Sequence, residues 1–537
     1  MVNCDRRGGR EVWGALLPLP IVDFFMKPIL TAERYTHGVR LSGYDRETYL
    51  KMTGYLNKLV LKEPKKIPGQ RTIMEIKKKY YGETEDGKSV FIHRECLQEL
   101  INYLADKNIP STRIEIVDIP VPTAVKVDYT LFEHYVLRDY QETIREDILR
   151  PHLHSARVDL QTGKGKTLTS LASVAVMKER GVVMIPPKYF GIWEKALKET
   201  FVGYEDQLGI KYLKVSGSAE LQNLINRGLE NDLEGVEIIL ISSTTYRAYI
   251  DTFERLGEKI DVVGFNVPPP RFHEVIGAGW QINDEIQEDP GLVFRTDLYT
   301  NVNKQIYLSA TPYTGNQFVT KMIDVMLPAT TKCRLPAYDS YINVIGLLYS
   351  EPTIKPKDYL TPFKNTYNHA RYETVMMKNP RRLDFYLKMV KRIVDGVYIK
   401  DRIEGQKCLL LCATVNFIDV LTAYLKKQYP DLQINRHVSG SPYDRLMTND
   451  ITVSTIKSSG TGVDIRNLRE VILLQATDSK KDSIQILGRL RPLKNWPDVI
   501  PRLTFMVCNN IPHHCRYARN KENHFMGKTK SMRMMRL

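Results

Sequence analysis

The segment Arg157-Val158-Asp159-Leu160-Gln161-Thr162-Gly163-Lys164-Gly165-Lys166-Thr167-Leu168 constrains this chain more than any other. It predicts a short strand, a glycine-bearing loop and the first turn of a helix running through residues 171–177, the setting that a phosphate-binding loop needs. Gly163 and Gly165 let the backbone between Thr162 and Lys166 turn its N–H groups inward, and the helix start adds positive potential. Lys166 supplies a point charge and Thr167 a hydroxyl for Mg²⁺. The strict pattern G-x-x-x-x-G-K-[ST] puts a glycine at position 160, where this chain has Leu160. Six letters of this kind also occur in lysine-rich surface turns, so the companions of the loop decide its meaning.

With 537 residues the chain exceeds one hydrophobic core, and two to four domains are expected. Its 77 Lys and Arg outnumber 62 Asp and Glu to give +15, which points to a polyanionic partner. Seven cysteines, spread thinly, imply free thiols in a reducing compartment. Cys408 and Cys412 stand in an apolar run and read as packing. His513-His514-Cys515 has no second ligand pair at zinc spacing, so no zinc site is assigned. The first residues lack the pattern of a signal peptide, and no run of about 18 apolar residues is present. A cytoplasmic protein without a membrane span is expected.

Residues 1–130 read as a small basic α+β domain. Residues 1–10 form a loose extension; helices are expected around 46–52 and over 94–107, with a strand near 89–92. Between Lys51 and Lys79 nine basic residues face only Glu63 and Glu75, and Lys77-Lys78-Lys79-Tyr80-Tyr81 mixes charge with aromatics. That pattern fits a nucleic-acid surface or a solvated face. Ile119-Pro120-Val121-Pro122 marks a linker. Residues 131–330 alternate apolar runs with helical patterns, predicting a parallel sheet with strands at 158–160, 182–185, 211–215, 237–241 and 306–308. Residues 331–537 predict a second such domain, with a helix from Asn379-Pro380 to 394 and strands at 408–412, 451–454, 471–474 and 503–507. The basic stretch 513–537 is expected to be a nucleic-acid contact or a frayed terminus.

A phosphate loop requires carboxylates on a later strand of its sheet to hold Mg²⁺ and activate water. Asp284-Glu285-Ile286-Gln287 is the candidate, with Asp284 for the metal and Glu285 for the water. The strand before it, Gly279-Trp280-Gln281-Ile282-Asn283, carries amides where a buried parallel strand is normally apolar. Downstream, Ser309-Ala310-Thr311 ends a strand in two hydroxyls suited to linking the site to a neighbouring domain.

Taken in order, Gly163 to Thr167, Asp284 to Gln287 and Ser309 to Thr311 resemble motifs I, II and III of superfamily 2 helicases and translocases. In that family motif I often reads T-G-x-G-K-T, without a glycine at the position of Leu160. Leu137-Arg138-Asp139-Tyr140-Gln141 is similar to the Q motif, which implies that Gln141 reads adenine. Pro186-Pro187-Lys188 and Thr244-Thr245 resemble the motifs that hold nucleic-acid phosphates. Ser454-Thr455 through Asp464 resembles motif V, and Gln485 to Pro492 resembles motif VI. Here the second arginine falls one residue early, at Arg491, which makes Arg489 the expected arginine finger and Arg491 the secondary one. The matched motifs span 137–492. The layout, with a basic domain ahead and a motif II of the DEIQ kind, is most similar to UvsW-type phage recombination and repair helicases.

The resemblance implies two tandem RecA-like domains preceded by a small α+β domain, with ATP and Mg²⁺ bound between them. Lys166, Glu285, Gln485, Arg489 and Arg491 are the implied catalytic residues. Gln141, Thr162, Gly163, Lys164, Gly165, Lys166, Thr167 and Asp464 would hold nucleotide, and Thr167 and Asp284 the metal. Pro186, Lys188, Thr244, Thr245, Thr414, Ser454 and Thr455 would hold nucleic acid, with Ser309 and Thr311 coupling the two sites. The implied activity is an ATP-dependent DNA helicase or translocase acting on branched or duplex DNA. An RNA helicase, a restriction-type duplex translocase and an ATP-gated binder that does not unwind are the alternatives.

Overall fold

The computed structural model describes residues 27–66, 73–204, 211–310, 316–362, 365–438, 445–458 and 465–537. The N-terminal unit contains β1 (Leu30–Arg34), β2 (Gly38–Ser42), a separate antiparallel hairpin of β3 (Val60–Lys66) and β4 (Ile73–Lys79), then β5 (Gly82–Glu83), β6 (Val90–His93) and β7 (Ile114–Asp118). The five-stranded sheet has the order β5-β6-β2-β1-β7, antiparallel except where β1 meets β7. Helices Arg46–Leu56 and Leu97–Ala105 pack beside each other on it. The first starts where Asp45 accepts the Thr48 N–H at 2.8 Å, the N-cap interaction that an aspartate provides.

Six strands build the next sheet: β8 (Ser155–Val158), β9 (Gly181–Ile185), β10 (Tyr212–Val215), β11 (Ile238–Ser242), β12 (Trp280–Asn283) and β13 (Lys304–Leu308). All are parallel, in the order β10-β11-β9-β12-β13-β8. The expected strand at 158–160 lies earlier, because the chain leaves the sheet after Val158 to enter the glycine loop. The polar strand is genuine and central. Gln281 pairs with His273 at 2.8 Å and with Asn283 at 3.2 Å, so its buried amide is satisfied. Trp280 and Ile282 face the opposite, apolar layer, and Gly181 opposite Trp280 leaves room for the indole. A buried parallel strand therefore tolerates alternate amides when a polar layer covers one face.

The third sheet holds β14 (Asn343–Tyr349), β15 (Lys407–Cys412), β16 (Ile434–His437), β17 (Ile451–Thr455), β18 (Leu468–Leu473), β19 (Arg502–Cys508) and β20 (Ser531–Arg536), in the order β16-β17-β15-β18-β19-β14-β20, all parallel. The mixed parallel α/β class and the two tandem sheet domains behind a small α+β unit are as expected. The basic C-terminal stretch is not frayed. It forms helix Pro512–Phe525 and the edge strand β20, whose alternating Met and Arg residues pair in register with β14.

Two boundaries move. Cys333 lies in the core of the first sheet domain, and Arg334 donates to Asp147, so the chain crosses to the second domain between Leu335 and β14 rather than at 331. The N-terminal unit is not tethered by a free linker either. Phe91 sits 4.7 Å from Tyr299 and 5.8 Å from Phe253, Tyr80 packs on Phe294 and Phe318, and a Cβ at Gly38 would collide with the Leu298 carbonyl. Asn301 donates to the Pro120 carbonyl at 3.0 Å, pinning the proline segment. The unit and the first sheet domain share one hydrophobic core.

Near that seam Asp297 is fully buried, accepting from Tyr307 at 2.7 Å and Gln305 at 2.6 Å. Burial pushes its pKa up to about 8, against the smaller opposing effect of those two bonds. His93, 3.8 Å away, is driven down to about 3 by its own burial and brings no charge. Folded Asp297 therefore keeps a proton that the unfolded chain has lost between about pH 4 and pH 8, and this residue makes stability fall as pH rises through that window. Asp297→Asn is expected to flatten that fall. Urea unfolding of both forms at several pH values in the window checks it, and parallel pH profiles would remove Asp297 as the cause.

Candidate nucleotide site and interdomain cleft

Parallel strands deliver their following loops to one edge of the sheet. Here β8, β13 and β12 are neighbours, so the glycine loop, Ser309 and Asp284-Glu285 emerge side by side. Gly163 and Gly165 adopt left-handed φ values of 86° and 83°, and Gly165 immediately precedes the helix Lys166–Met177. Tyr140 donates to the Lys164 carbonyl at 3.0 Å, and Gln141 donates to it at 3.4 Å and to Thr169 at 3.2 Å. The Gln141 carbonyl oxygen accepts from the Arg138 N–H at 3.0 Å. Both ends of the amide are thus engaged in bracing the loop. Thr162 packs against Gly488, and Lys164 pairs with Asp339 at 2.9 Å. Thr167 is half-buried in the first helical turn.

The Lys166 ammonium lies 4.0 Å from Glu285, and both side chains are largely enclosed. Asp284 accepts from the Trp193 indole N–H at 3.0 Å and from the Glu285 N–H at 2.9 Å. Burial, reinforced by the charge of Glu285, pushes its carboxyl up to about 6 while Lys166 pulls the other way. Glu285 has a φ of 52°, a conformation that a residue with a β-carbon adopts at a cost, and strain of this kind concentrates at functional sites. Gln287 explains how the carboxylate is held. Its amide donates to Glu285, its carbonyl oxygen accepts from Ser309 at 2.5 Å, and its backbone carbonyl accepts from Lys481 of the second sheet domain at 2.9 Å.

The two arginines occupy different places from those the motif spacing predicts. The Arg491 guanidinium rests against Gly163 and fills the space a side chain there would need. With Arg138, Thr162, Lys164 and Lys494 it lines a cavity of about 880 Å³ beside the loop. Arg489 is buried, donates to the Ile456 carbonyl at 3.2 Å, and is lowered to about 10 by desolvation. Arg491, expected as the secondary finger, is the one on the phosphate loop. The Gln485 Nε2 is buried with no hydrogen-bond partner among the described residues. Asp464 and Thr311 lie outside the described residues.

A second cavity, of about 1090 Å³, separates the two sheet domains and is lined by Lys188 and Tyr189 on one side and by Tyr367, His369, Thr455 and Tyr517 on the other. Pro186 precedes the turn Pro187–Tyr189 that presents them. Lys188 is paired with Glu288 at 2.8 Å, and the Tyr189 hydroxyl donates to the same carboxylate at 2.6 Å. Several hydroxyls expected to face phosphates are engaged internally. Thr245 accepts from the Gly217 N–H, Thr244 bonds Ser242, and Ser454 is buried and donates to the Thr455 carbonyl. Thr455 donates to Ser458 at 2.8 Å at the rim of the cavity. Thr414 donates to buried Glu373 at 2.7 Å, and the Ala413 and Thr414 N–H groups bond the same carboxylate, which fills the place that a phosphate would take at that helix start.

Trp193, Glu288, Glu373 and Lys481 belong to the site and were not anticipated. Only two left a sequence signal: Glu288 directly follows the acidic motif, and Lys481 stands one helical turn before Gln485. Trp193 and Glu373 reach the site through tertiary packing alone.

No family model and no curated protein match the chain. Among solved structures it is similar to the Pyrococcus furiosus Hef helicase domain, with a TM-score of 0.41 and 13% identity over 71% of this chain and 98% of that one. It is also similar to the ATP-dependent Type ISP restriction-modification enzyme LlaBIII bound to DNA, with a TM-score of 0.47 and 14% identity over 82% of this chain. The match spans 34% of LlaBIII. Among the described residues no helix is long and apolar enough to cross a membrane.

Lys481 ties the second domain to the residue that holds Glu285, so for a site that turns over nucleotide Lys481→Ala is expected to lower that turnover by about tenfold, the equivalent of one ordinary hydrogen bond, with little change in nucleotide affinity. Steady-state kinetics beside direct nucleotide binding checks it. An equal loss in both quantities would make Lys481 a binding contact.

Proposed function

We propose that the chain is an ATP-dependent nucleic-acid motor of the superfamily 2 kind, and that it remodels branched or duplex DNA as UvsW-type recombination and repair helicases do. The observation that carries this reading is the meeting of Lys166, Asp284, Glu285 and Ser309 at the ends of three adjacent strands, with Arg491 of the other sheet domain seated on the same loop.

The residues suit ATP and Mg²⁺. The left-handed glycines turn backbone N–H groups toward a phosphate, and the helix behind them begins without a side-chain cap. Lys166 and the loop would hold the phosphates, and Thr167 with Asp284 would hold the metal. Bound Mg²⁺-ATP supplies the γ-phosphoryl group and the charge that polarises it. Glu285, oriented by Gln287, receives the proton of the attacking water. Arg491 neutralises charge developing at the γ-phosphate, a task that needs two closed domains because the guanidinium comes from the second one.

On the nucleic-acid side, Lys188 is the cation positioned to exchange Glu288 for a backbone phosphate. Glu288 is three residues from Glu285, so that exchange would be felt at the catalytic carboxylate. Phosphate contacts position a strand without reading it, which makes the motor sequence-independent. The lysine-rich β3–β4 hairpin is the proposed selector of DNA structure.

ATPase activity should be stimulated by nucleic acid and abolished by Lys166→Ala and by Glu285→Gln. A wild-type chain that hydrolyses no ATP with any forked, four-way, duplex or single-stranded DNA or RNA would overturn the motor and leave ATP-gated binding. Strand separation on the same substrates distinguishes a helicase from a translocase, and DNA from RNA. Arg491→Ala is expected to lose about 10³-fold in turnover while still binding ATP. Arg489→Ala should instead act through folding, seen as a lowered melting temperature, and the reverse assignment would follow if only Arg489→Ala lost turnover in a fully folded protein.

A further inference from the structure

The cavity between the sheet domains has an aromatic wall that none of the sequence motifs accounts for. Tyr367 is its hub, with its hydroxyl within 2.5 Å of both His369 Nδ1 and His514 Nε2. His513 stacks on it at 5.4 Å with an interplanar angle of 24°, and Tyr517 meets it edge-on at 5.7 Å. His514 is fixed in turn by the Cys508 N–H, and His369 by the Ala476 N–H. Tyr367, His369 and His514 are therefore held by hydrogen bonds from three separate segments of the second domain, and His513 and Tyr517 pack against Tyr367. Tyr367 and Tyr517 remain only partly buried and line the cavity.

Cations flank this wall. Arg516 lies over the Tyr517 ring at 5.3 Å, Lys457 is exposed at the rim, and Lys188 faces it from the other domain above the Tyr189 ring at 4.7 Å. Two carboxylates share the lining, Asp478 and Asp482; Asp478 accepts from Asn520 at 2.7 Å, and Asp482 contributes negative charge beside Arg489. Packed ring faces next to exposed cations suit a ligand that is flat and aromatic at one end and anionic at the other. A solvated protein surface has no need to fix a tyrosine between two histidines in this way, whereas a nucleobase on a sugar-phosphate chain matches both features, and its stacking on an aromatic ring is tolerant of sequence.

We propose that the Tyr367–Tyr517 wall is a nucleobase-stacking site, so that the cleft takes single-stranded polynucleotide by its unpaired bases as well as by its phosphates. This rests on the nucleic-acid reading given above and extends it to residues on the C-terminal helix Pro512–Phe525, outside the motor motifs.

The test is binding of a single-stranded DNA oligonucleotide bearing one 2-aminopurine, and of its RNA counterpart, to the full chain, with the matching duplexes as controls. Tyr517→Ala is expected to weaken single-strand affinity by about 5- to 100-fold, the range one stacked base supplies. Quenching of the 2-aminopurine should be lost, while the salt dependence of binding stays the same because no phosphate contact is removed. Tyr517→Phe should behave as wild type, and Tyr517→Leu, which keeps an apolar side chain at the position, should behave as Tyr517→Ala. Duplex affinity should not change. Unaltered single-strand affinity and quenching in folded Tyr517→Ala and Tyr517→Leu would overturn the stacking site, as would a changed salt slope with quenching intact. Failure of the wild-type chain to bind any polynucleotide would instead overturn the reading on which the site rests.

Discussion

A guanidinium from the second sheet domain occupies the space that a side chain at Gly163 would need. That single contact makes the glycine loop an interdomain structure. It requires glycine on one side, an arginine with long reach on the other, and a chain crossing short enough to keep the two apart by no more than a cleft. The loop's remaining props, from Tyr140, Gln141 and Asp339, hold it open toward that arginine. The second bridge, from Lys481 to Gln287, meets the acidic motif from the same direction. The second domain therefore touches the first at both the loop and the acidic motif.

The site is backed by polar groups that bond one another inside a mostly apolar sheet. Gln281 and Asn283 on β12, and Gln305 and Tyr307 on β13, form a hydrogen-bonded layer that continues to Asp297 and His273. These bonds stiffen the layer, because each group left alone would pay its desolvation in full, although the Asn283 Nδ2, Gln305 Oε1 and His273 Nδ1 atoms are buried without a hydrogen-bond partner among the described residues. Rigidity behind Asp284 is what allows Glu285 to sit at a strained positive φ. The N-terminal unit is fused to the first sheet domain through a shared hydrophobic core and a pinned proline segment.

In the cleft between the sheet domains, two internal carboxylates engage groups that the sequence suggested for phosphates. Glu288 holds Lys188, and Glu373 fills the helix start at Thr414. The two differ in consequence. Glu288 lies at the cleft and its partner is half-exposed, so exchange with a phosphate costs little burial; Glu373 is wholly buried and serves as a structural cap.

The motif letters and their order determined much on their own. Alternation of apolar runs with helical periods predicted both parallel sheets, and Gly163 to Thr167, Asp284 to Gln287 and Ser309 predicted one site, because parallel strands must send their loops to a common edge. Local chemistry also placed the helix at Asn379-Pro380, whereas Thr414, expected at nucleic acid, is the N-cap of the helix Val415–Gln428. Other features depended on contacts between distant segments, which no local pattern records. β14, β16 and β20 are strands because they find neighbours, and β20 is a Met–Arg alternation that reads as a basic tail until it pairs with β14. The contact of Arg491 with the loop follows the same logic: spacing along a chain fixes which residues are near in sequence, while the approach of two domains decides which guanidinium reaches the loop.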